Sequence, residues 1–274
     1  MDPLKFDDSF LYKTGERIIP GSVSPEALSE HYTRYFFALD LCRGKKVLNV
    51  ACGAGYGSEV LRSSASEIYN IDISEQLVAY GNLHYGTFSN HFLSMDAQKM
   101  DFPDNFFDVI VSFETFEHLP RYRKFLNECF RVLKKDGQLI LSMPNKNITS
   151  PGLKKPLNPF HFKEWTIIEF RKLIAGRFKI LSLYGQNFTQ PNRYSGFLTG
   201  KPVRALFSLI YTYTPAFIFR LIKVYGLKYK AVSLSEIKLL DNDRLFKAKN
   251  EDFELNAQGL GYAIMLFILK KNTR

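Results

Sequence analysis

Three glycines, an aspartate and two histidines are the residues of this chain whose types and spacing could do chemistry. Gly53, Gly55 and Gly57 alternate directly after the apolar run Val47, Leu48 and Val50. Residues lacking a β-carbon let a backbone take positive φ and let a ligand approach the main chain. Ser58, Glu59, Val60 and Leu61 read as the first turn of a helix, whose free N–H groups would face such a ligand. Asp72 stands nineteen positions beyond Gly53, after the run Glu67 to Ile71. In a βαβ unit a carboxylate there accepts hydrogen bonds from the ribose hydroxyls of a nucleoside cofactor. The plainer readings are a strand-to-helix turn for the glycines and a helix N-cap or loop acid for Asp72, with Ser74 and Leu77 opening the next helix. A nicotinamide fingerprint, G-x-G-x-x-G, needs a third glycine where Ser58 stands.

The histidines suit a second task, because an imidazole titrates near neutral pH and can remove a proton there. His118 follows a fourth apolar strand, at the edge of the sheet where doubly wound folds bind ligands. Its structural alternative is to cap a helix beginning near Pro120. His161 lies in Asn158, Pro159, Phe160, His161, Phe162, Lys163, Glu164 and Trp165, after a loop rich in Pro and Lys (144–156). It is placed either to reach an acceptor pocket or to pack that loop. His84 and His91, at a helix end and a strand start, read as surface residues without partners.

The elements that position these residues alternate along the chain. A helix over 24–42 precedes the first strand, and Met95, Asp96 and Ala97 close a third strand. The fourth strand is Val109 to Phe113. A helix and a basic turn (Phe130, Arg131, Val132, Leu133, Lys134, Lys135, Asp136, Gly137) lead into a fifth from Gln138 to Met143. Strands near Phe178 to Tyr184 and Gly261 to Leu269 complete the set. No internal repeat or low-complexity run interrupts it.

These motifs together resemble the class I S-adenosylmethionine (SAM) dependent methyltransferases: strand then G-x-G-x-G, an acid closing the second strand, an Asp-Ala pair after the third, and E-x-x-E-H-L after the fourth. The similarity covers about residues 24 to 187 and the last strand. Asn158 to Trp165 resembles the N-P-F-H-x-x-E-[FWY] segment of methyltransferases associated with polysaccharide and O-antigen biosynthesis. Thr14 to Arg17, with His31, Arg34 and Tyr35, is similar to elements of the same group that cover the cofactor. The resemblance implies an α/β fold, a Rossmann-like doubly wound seven-stranded sheet of order 3-2-1-4-5-7-6. Its last strand is antiparallel, and a helical insertion lies between strands 6 and 7. It implies SAM as cofactor and S-adenosyl-L-homocysteine as product, bound through Asn49, Ala51, Gly53, Gly55, Asp72, Ile73, Asp96, Ala97 and Phe113. It places Glu114 and Glu117 at the acceptor, His118 and His161 as candidate bases, and no metal. Asn49 departs from the family, which has Asp or Glu there, so a weaker grip on the cofactor is expected.

Composition, 46% hydrophobic and 23% charged residues, is ordinary globular usage. Cys42, Cys52 and Cys129 are odd in number and lack metal spacing, as reduced thiols would be. The absence of a basic apolar leader points to a cytoplasmic enzyme. The domains expected are a cap (1–23), a SAM-binding core (24–187 and 255–274) and an insertion (188–254). Within 191–250 eleven Lys and Arg stand against three Asp and Glu, a net of +8 out of the chain's +10. The insertion also holds the apolar, aromatic run Ala205 to Ile222, which Pro215 and Arg220 make unsuited to spanning a bilayer. It reads as a substrate lid, a homodimer contact or a patch for the anionic inner face of a membrane; nucleic acid lacks a supporting motif. The activity expected is O-methylation of a sugar hydroxyl in a nucleotide sugar, glycolipid or polysaccharide. The alternatives are a lipid, quinone or small secondary metabolite as acceptor, or a non-catalytic SAM-binding regulator.

Overall fold

Lys46–Val50 (β1) lies inside the sheet, and its side chains alternate between two covered faces, which is why Val47, Leu48 and Val50 are apolar. The computed structural model describes residues 25–186 and 264–272; the cap and the insertion lie outside the described residues. Around β1 run Glu67–Asp72 (β2), Asn90–Ser94 (β3), Phe107–Phe113 (β4), Leu133–Pro144 (β5), Phe178–Gln186 (β6) and Ile264–Lys271 (β7). They form one sheet of order β3-β2-β1-β4-β5-β7-β6. β1 pairs in parallel with β2 and β4, β4 in parallel with β5, and β7 lies antiparallel between β5 and β6. The expected order and the antiparallel last strand are both observed.

Helices cover both faces. Pro25–Cys42 (α1), Tyr56–Arg62 (α2) and Glu75–Tyr85 (α3) serve the face of Val47, Ile68, Val111 and Ile140. Tyr122–Val132 (α4) and Ile167–Ile174 (α6) serve that of Leu48, Ile110, Leu141 and Phe267. A short helix, Lys146–Thr149 (α5), follows β5. α3 opens with Ser74 accepting from the Leu77 N–H, and α6 with a capping box between Thr166 and Glu169. These N-caps fix where each helix begins after its loop.

Three local expectations shift. α2 starts at Tyr56 and so contains Gly57, where the close approach of Tyr35 on α1 leaves no room for a β-carbon. The basic turn before β5 belongs to the strand itself: pairing with β4 jumps from Phe107↔Leu133 to Val109↔Gln138, a bulge pinned by Lys134 Nζ donating to Asp108 at 2.8 Å. His84 and His91 do have partners. His84 lies against Tyr80 (ring centroids 4.2 Å), and His91 lies against Tyr69 with Nε2 3.3 Å from Glu67.

Candidate functional site

The loop after β1 is built from left-handed backbone: Ala51, Gly53 and Gly55 have φ of 54°, 57° and 86°. The Cys52 N–H, donating to the Ile71 carbonyl at 3.0 Å, ties this strained segment to β2. Only one of its glycines borders open space. A β-carbon on Gly53 would meet nothing within 4 Å, whereas on Gly55 it would strike the Phe92 ring and on Gly57 the Tyr35 ring, 2.0 Å away. Gly57 is thus a packing glycine under α1, and Gly53 is the one whose Cα borders open space. Cys52 is no nucleophile, since burial pushes its thiol well above the usual range; burial likewise pushes Cys42 up to about 12.

Asp72 borders the same loop with a fixed carboxylate. Oδ2 accepts from the Gly53 N–H at 2.9 Å and Oδ1 from the Ser74 N–H at 2.9 Å, and lone pairs remain on both oxygens. Ile73 beside it is 73% exposed, an apolar surface at the rim. Phe113 closes β4 with its ring 5.1 Å from that of Tyr35. Asp96 is turned elsewhere: Oδ1 accepts from Gln98 and Oδ2 lies 3.3 Å from Arg121 Nη2, while Ala97 packs into the core. The Asp96–Arg121 pair is half exposed, and such pairs contribute about 1 kcal/mol or less, so it can yield to a ligand.

Asn49 is engaged at both ends of its amide. Tyr35 Oη lies 3.5 Å from Asn49 Oδ1, and Asn49 Nδ2 donates to Asn70 Oδ1 at 2.9 Å. Asn70 Nδ2 donates to Asn90 Oδ1 (2.7 Å), Asn90 Nδ2 to Ser58 Oγ (3.1 Å), and Ser58 Oγ to the Gly55 carbonyl (2.7 Å). This buried chain of amides crosses β1, β2 and β3 and returns to the glycine loop. It supplies the polar partner that an acid would lack here, since an ionised carboxylate cannot donate to Asn70 Oδ1.

A second cluster forms at the C-terminal end of β4. Glu114 has φ of 48°, and Ser142 Oγ donates to its Oε1 at 2.6 Å. Beyond it the 3₁₀ turn Phe116–His118 carries Glu117 and His118. Phe116 packs on Trp165 with ring centroids 4.4 Å apart, and burying each such side chain is worth about 1.5–3 kcal/mol. The Phe162 and Lys163 N–H groups both donate to the Glu117 carbonyl. That anchorage brings the rings of His118 and His161 to 4.9 Å, nearly perpendicular.

The tautomers follow from the partners. His118 Nδ1 faces the Phe160 carbonyl at 3.1 Å and must donate, and its Nε2 lies 3.8 Å from Glu117 Oε1. His161 Nε2 receives Asn158 Nδ2 at 2.9 Å, so its Nδ1 donates to Glu164 Oε1 at 2.6 Å. Burial would raise the Glu164 carboxyl, but hydrogen bonds from His161, Thr149 and Ser150 hold it below the usual carboxylate range. His118 does not cap α4, whose N-cap is Arg121. Ligand atoms of Glu117, His118 and His161 lie within 4.8 Å of one another, the one such group among the described residues close enough to share a cation. For His161 this would require displacing Asn158.

Residues that sequence reasoning gave no role are Ser58, Asn70 and Asn90 in the amide chain and Asn158, Glu164 and Thr149 around His161. Glu164 lies in a motif quoted above, at i+3 from His161. The three asparagines give no sign of acting together until the strands are in register.

A family model described as "Methyltransferase domain" matches residues 48–141. A probable S-adenosylmethionine-dependent methyltransferase of Mycolicibacterium smegmatis is 34% identical over 63% of this chain and 67% of its own length. A similarly named protein of Mycobacterium tuberculosis is 33% identical over 59% of this chain, which spans 58% of that relative. A ubiquinone biosynthesis O-methyltransferase of Pseudomonas fluorescens is 33% identical over 38% of this chain and 46% of its own length. Among solved structures, an S-adenosylmethionine dependent methyltransferase of Mesorhizobium loti shares the fold at a TM-score of 0.53 and 13% identity, over 89% of this chain and 99% of that one.

Proposed function

Because this chain belongs to the S-adenosylmethionine-dependent methyltransferases, we propose that it methylates a hydroxyl oxygen, with a sugar hydroxyl of a nucleotide sugar, glycolipid or polysaccharide as the acceptor. The observation that carries the oxygen acceptor is the convergence of His118, His161 and Glu117 at the C-terminal end of β4. A carboxylate or thioether acceptor needs no proton removed, whereas a hydroxyl does.

The crevice fits the cofactor. Gly53 leaves space where a side chain would stand, Asp72 presents an oriented carboxylate for a ribose, and Ile73 offers an apolar surface for a base. In this reading Asn49, Ala51, Gly55, Ala97 and Phe113 shape the wall, and Asp96 reaches the base once released from Arg121. The cofactor supplies an electrophilic methyl on a sulfonium. The protein's part is alignment, exclusion of water and removal of the acceptor proton. His118 Nε2 is the better placed proton acceptor, because its Nδ1–H is fixed by the Phe160 carbonyl and its side chain is one-third exposed. His161, buried and bonded at both nitrogens, positions His118 and the loop. Glu114 and Glu117 line the acceptor side, and the basic insertion suits an acceptor bearing phosphates or a contact with an anionic membrane surface.

A second reading, a quinone or lipid hydroxyl, is favoured by the ubiquinone biosynthesis relative. The test is methyl transfer from isotopically labelled SAM to a panel of phosphorylated sugars, glycolipids and phenols, read by mass. His118→Ala should lower kcat about a hundredfold while leaving cofactor affinity intact. Transfer only to phenols would overturn the sugar reading, and unchanged kcat would remove His118 as base.

A further inference from the structure

The segment between β5 and α6 is turned inside out. Its polar side chains Asn145, Thr149, Ser150, Asn158 and Glu164 are buried, at most 5% exposed. Ile148, Leu153, Leu157, Phe160 and Phe162 stand outside, five of the eleven large apolar side chains exposed among the described residues. Hydrogen bonds hold the segment in this state. The Leu157 N–H donates to Ser150 Oγ at 2.9 Å, the Leu153 N–H to the Ser150 carbonyl at 3.2 Å, and the Phe160 N–H to Asn158 Oδ1 at 3.0 Å. Thr149 Oγ1 donates to Glu164 Oε2 and closes the loop from within. Rolling the leucines inward would expose or orphan these buried polar groups, which costs more than the apolar contact returns. A fixed backbone therefore keeps the apolar side chains in water, and an ordered cluster of that kind marks a surface that meets a partner.

Charge selects the partner. From Asn145 to Lys163 the sequence holds Lys146, Lys154, Lys155 and Lys163 and no acid. Lys146 lies 3.8 Å from Glu169, and Lys163 Nζ lies over the rings of Tyr122 and Trp165, while Lys154 and Lys155 are exposed next to Leu153. Apolar side chains flanked by lysines match the two layers of an anionic bilayer surface. Leucine and phenylalanine enter the acyl boundary, and the ammonium groups stay level with the headgroups on their long stems. A second copy of the chain fits less well, because an isologous contact brings two acid-free, lysine-bearing loops together.

We propose that the loop 146–163 docks this protein on an anionic lipid bilayer, with Leu153, Leu157 and Phe162 inserted and Lys154 and Lys155 on the headgroups. This surface belongs to the core and is separate from the basic insertion. The Phe160 carbonyl, which faces His118 Nδ1, places it beside the histidine cluster. The docking stands whichever acceptor is methylated.

Flotation compares the full-length protein on vesicles of phosphatidylcholine alone and of equal parts phosphatidylcholine and phosphatidylglycerol. Wild type should float with the anionic vesicles and not with the neutral ones. The double variants Leu153→Ser/Leu157→Ser and Lys154→Glu/Lys155→Glu should each lower partitioning by about tenfold. Their thermal unfolding should match wild type, since the altered side chains are exposed. A label reports on the loop itself: Cys42, Cys52 and Cys129 are buried, so Leu157→Cys carries the one accessible thiol. An environment-sensitive fluorophore there should shift its emission to the blue with anionic vesicles, and this readout decides if a double variant folds poorly. Wild type that ignores anionic vesicles, or floats equally with neutral ones, would overturn the proposal. So would undiminished flotation of both double variants with no shift at the label, which would give membrane contact to residues outside the loop. Loss in the lysine variant alone would show adsorption without insertion and overturn it too. A blue shift that grows with protein concentration in the absence of vesicles, with a dimer in sedimentation, would assign the face to a second copy instead.

Discussion

Two buried polar networks flank the crevice, and they differ in charge. Beneath the glycine loop the chain from Tyr35 through Asn49, Asn70, Asn90 and Ser58 to Gly55 uses only hydroxyls, amides and a carbonyl. At the end of β4 the cluster of Glu117, His118, His161 and Glu164 uses carboxylates and imidazoles. A neutral network keeps the same hydrogen bonds at every pH at which the protein is folded, so it suits a surface that must hold a cofactor in one geometry. An ionisable network can take up and release a proton, so it suits the acceptor side. In the proposed reading the cofactor side is shaped by backbone, amides and the Asp72 carboxylate, and the acceptor side by groups that titrate.

The contrast can be broken most directly at Gly53. Gly53→Val places a β-branched side chain at a φ of 57° and fills the open space over the loop, so binding heat with S-adenosyl-L-homocysteine should vanish while the far-ultraviolet spectrum stays native. Retained affinity would show that the crevice is not where the cofactor lies.

Asn49→Asp sharpens the comparison by putting a charge into the neutral network. The new carboxylate would face Asn70 Oδ1, and Asn70 cannot turn its amide round without giving up its bonds to Asn90 and the His91 carbonyl. A destabilisation of about 1–3 kcal/mol in denaturant unfolding is expected, without tighter cofactor binding, even though an acid is the commoner family residue. A variant as stable as wild type with higher affinity would mean that Asn49 serves the cofactor directly.

Glu164→Gln neutralises one member of the charged network, and its effect is smaller and depends on pH. Glu164 titrates below its unfolded value, so the stability it contributes is present above the usual carboxylate pKa and is lost as pH falls through the lowered one. The variant should unfold about 1 kcal/mol more easily at pH 7. The gap from wild type should close on acidification below about pH 4.3. A gap independent of pH would assign Glu164 a packing role.

Legibility differed between the two networks for a physical reason. The glycine loop and Asp72 were readable because positive φ, strand ends and helix caps leave marks within a few residues, as Gly53, Asp72 and Ser74 do. His118 and His161 were visible one by one, yet nothing local shows that residues 43 apart share a contact; the Phe116–Trp165 anchor does that. Asp96 was read from its motif as facing a ligand, and its pairing with Arg121, brought alongside by the start of α4, left no mark in the sequence.

The sequence by itself determined the alternation of strands and helices, the crevice at the end of β1 and the acid at the end of β2, since each follows from apolar period and local backbone demands. Tertiary structure alone decided that Gly57 packs against Tyr35, that three asparagines join into one chain and that two histidines share a cluster. Those facts depend on strand register and helix approach, which bring together side chains that no local pattern relates.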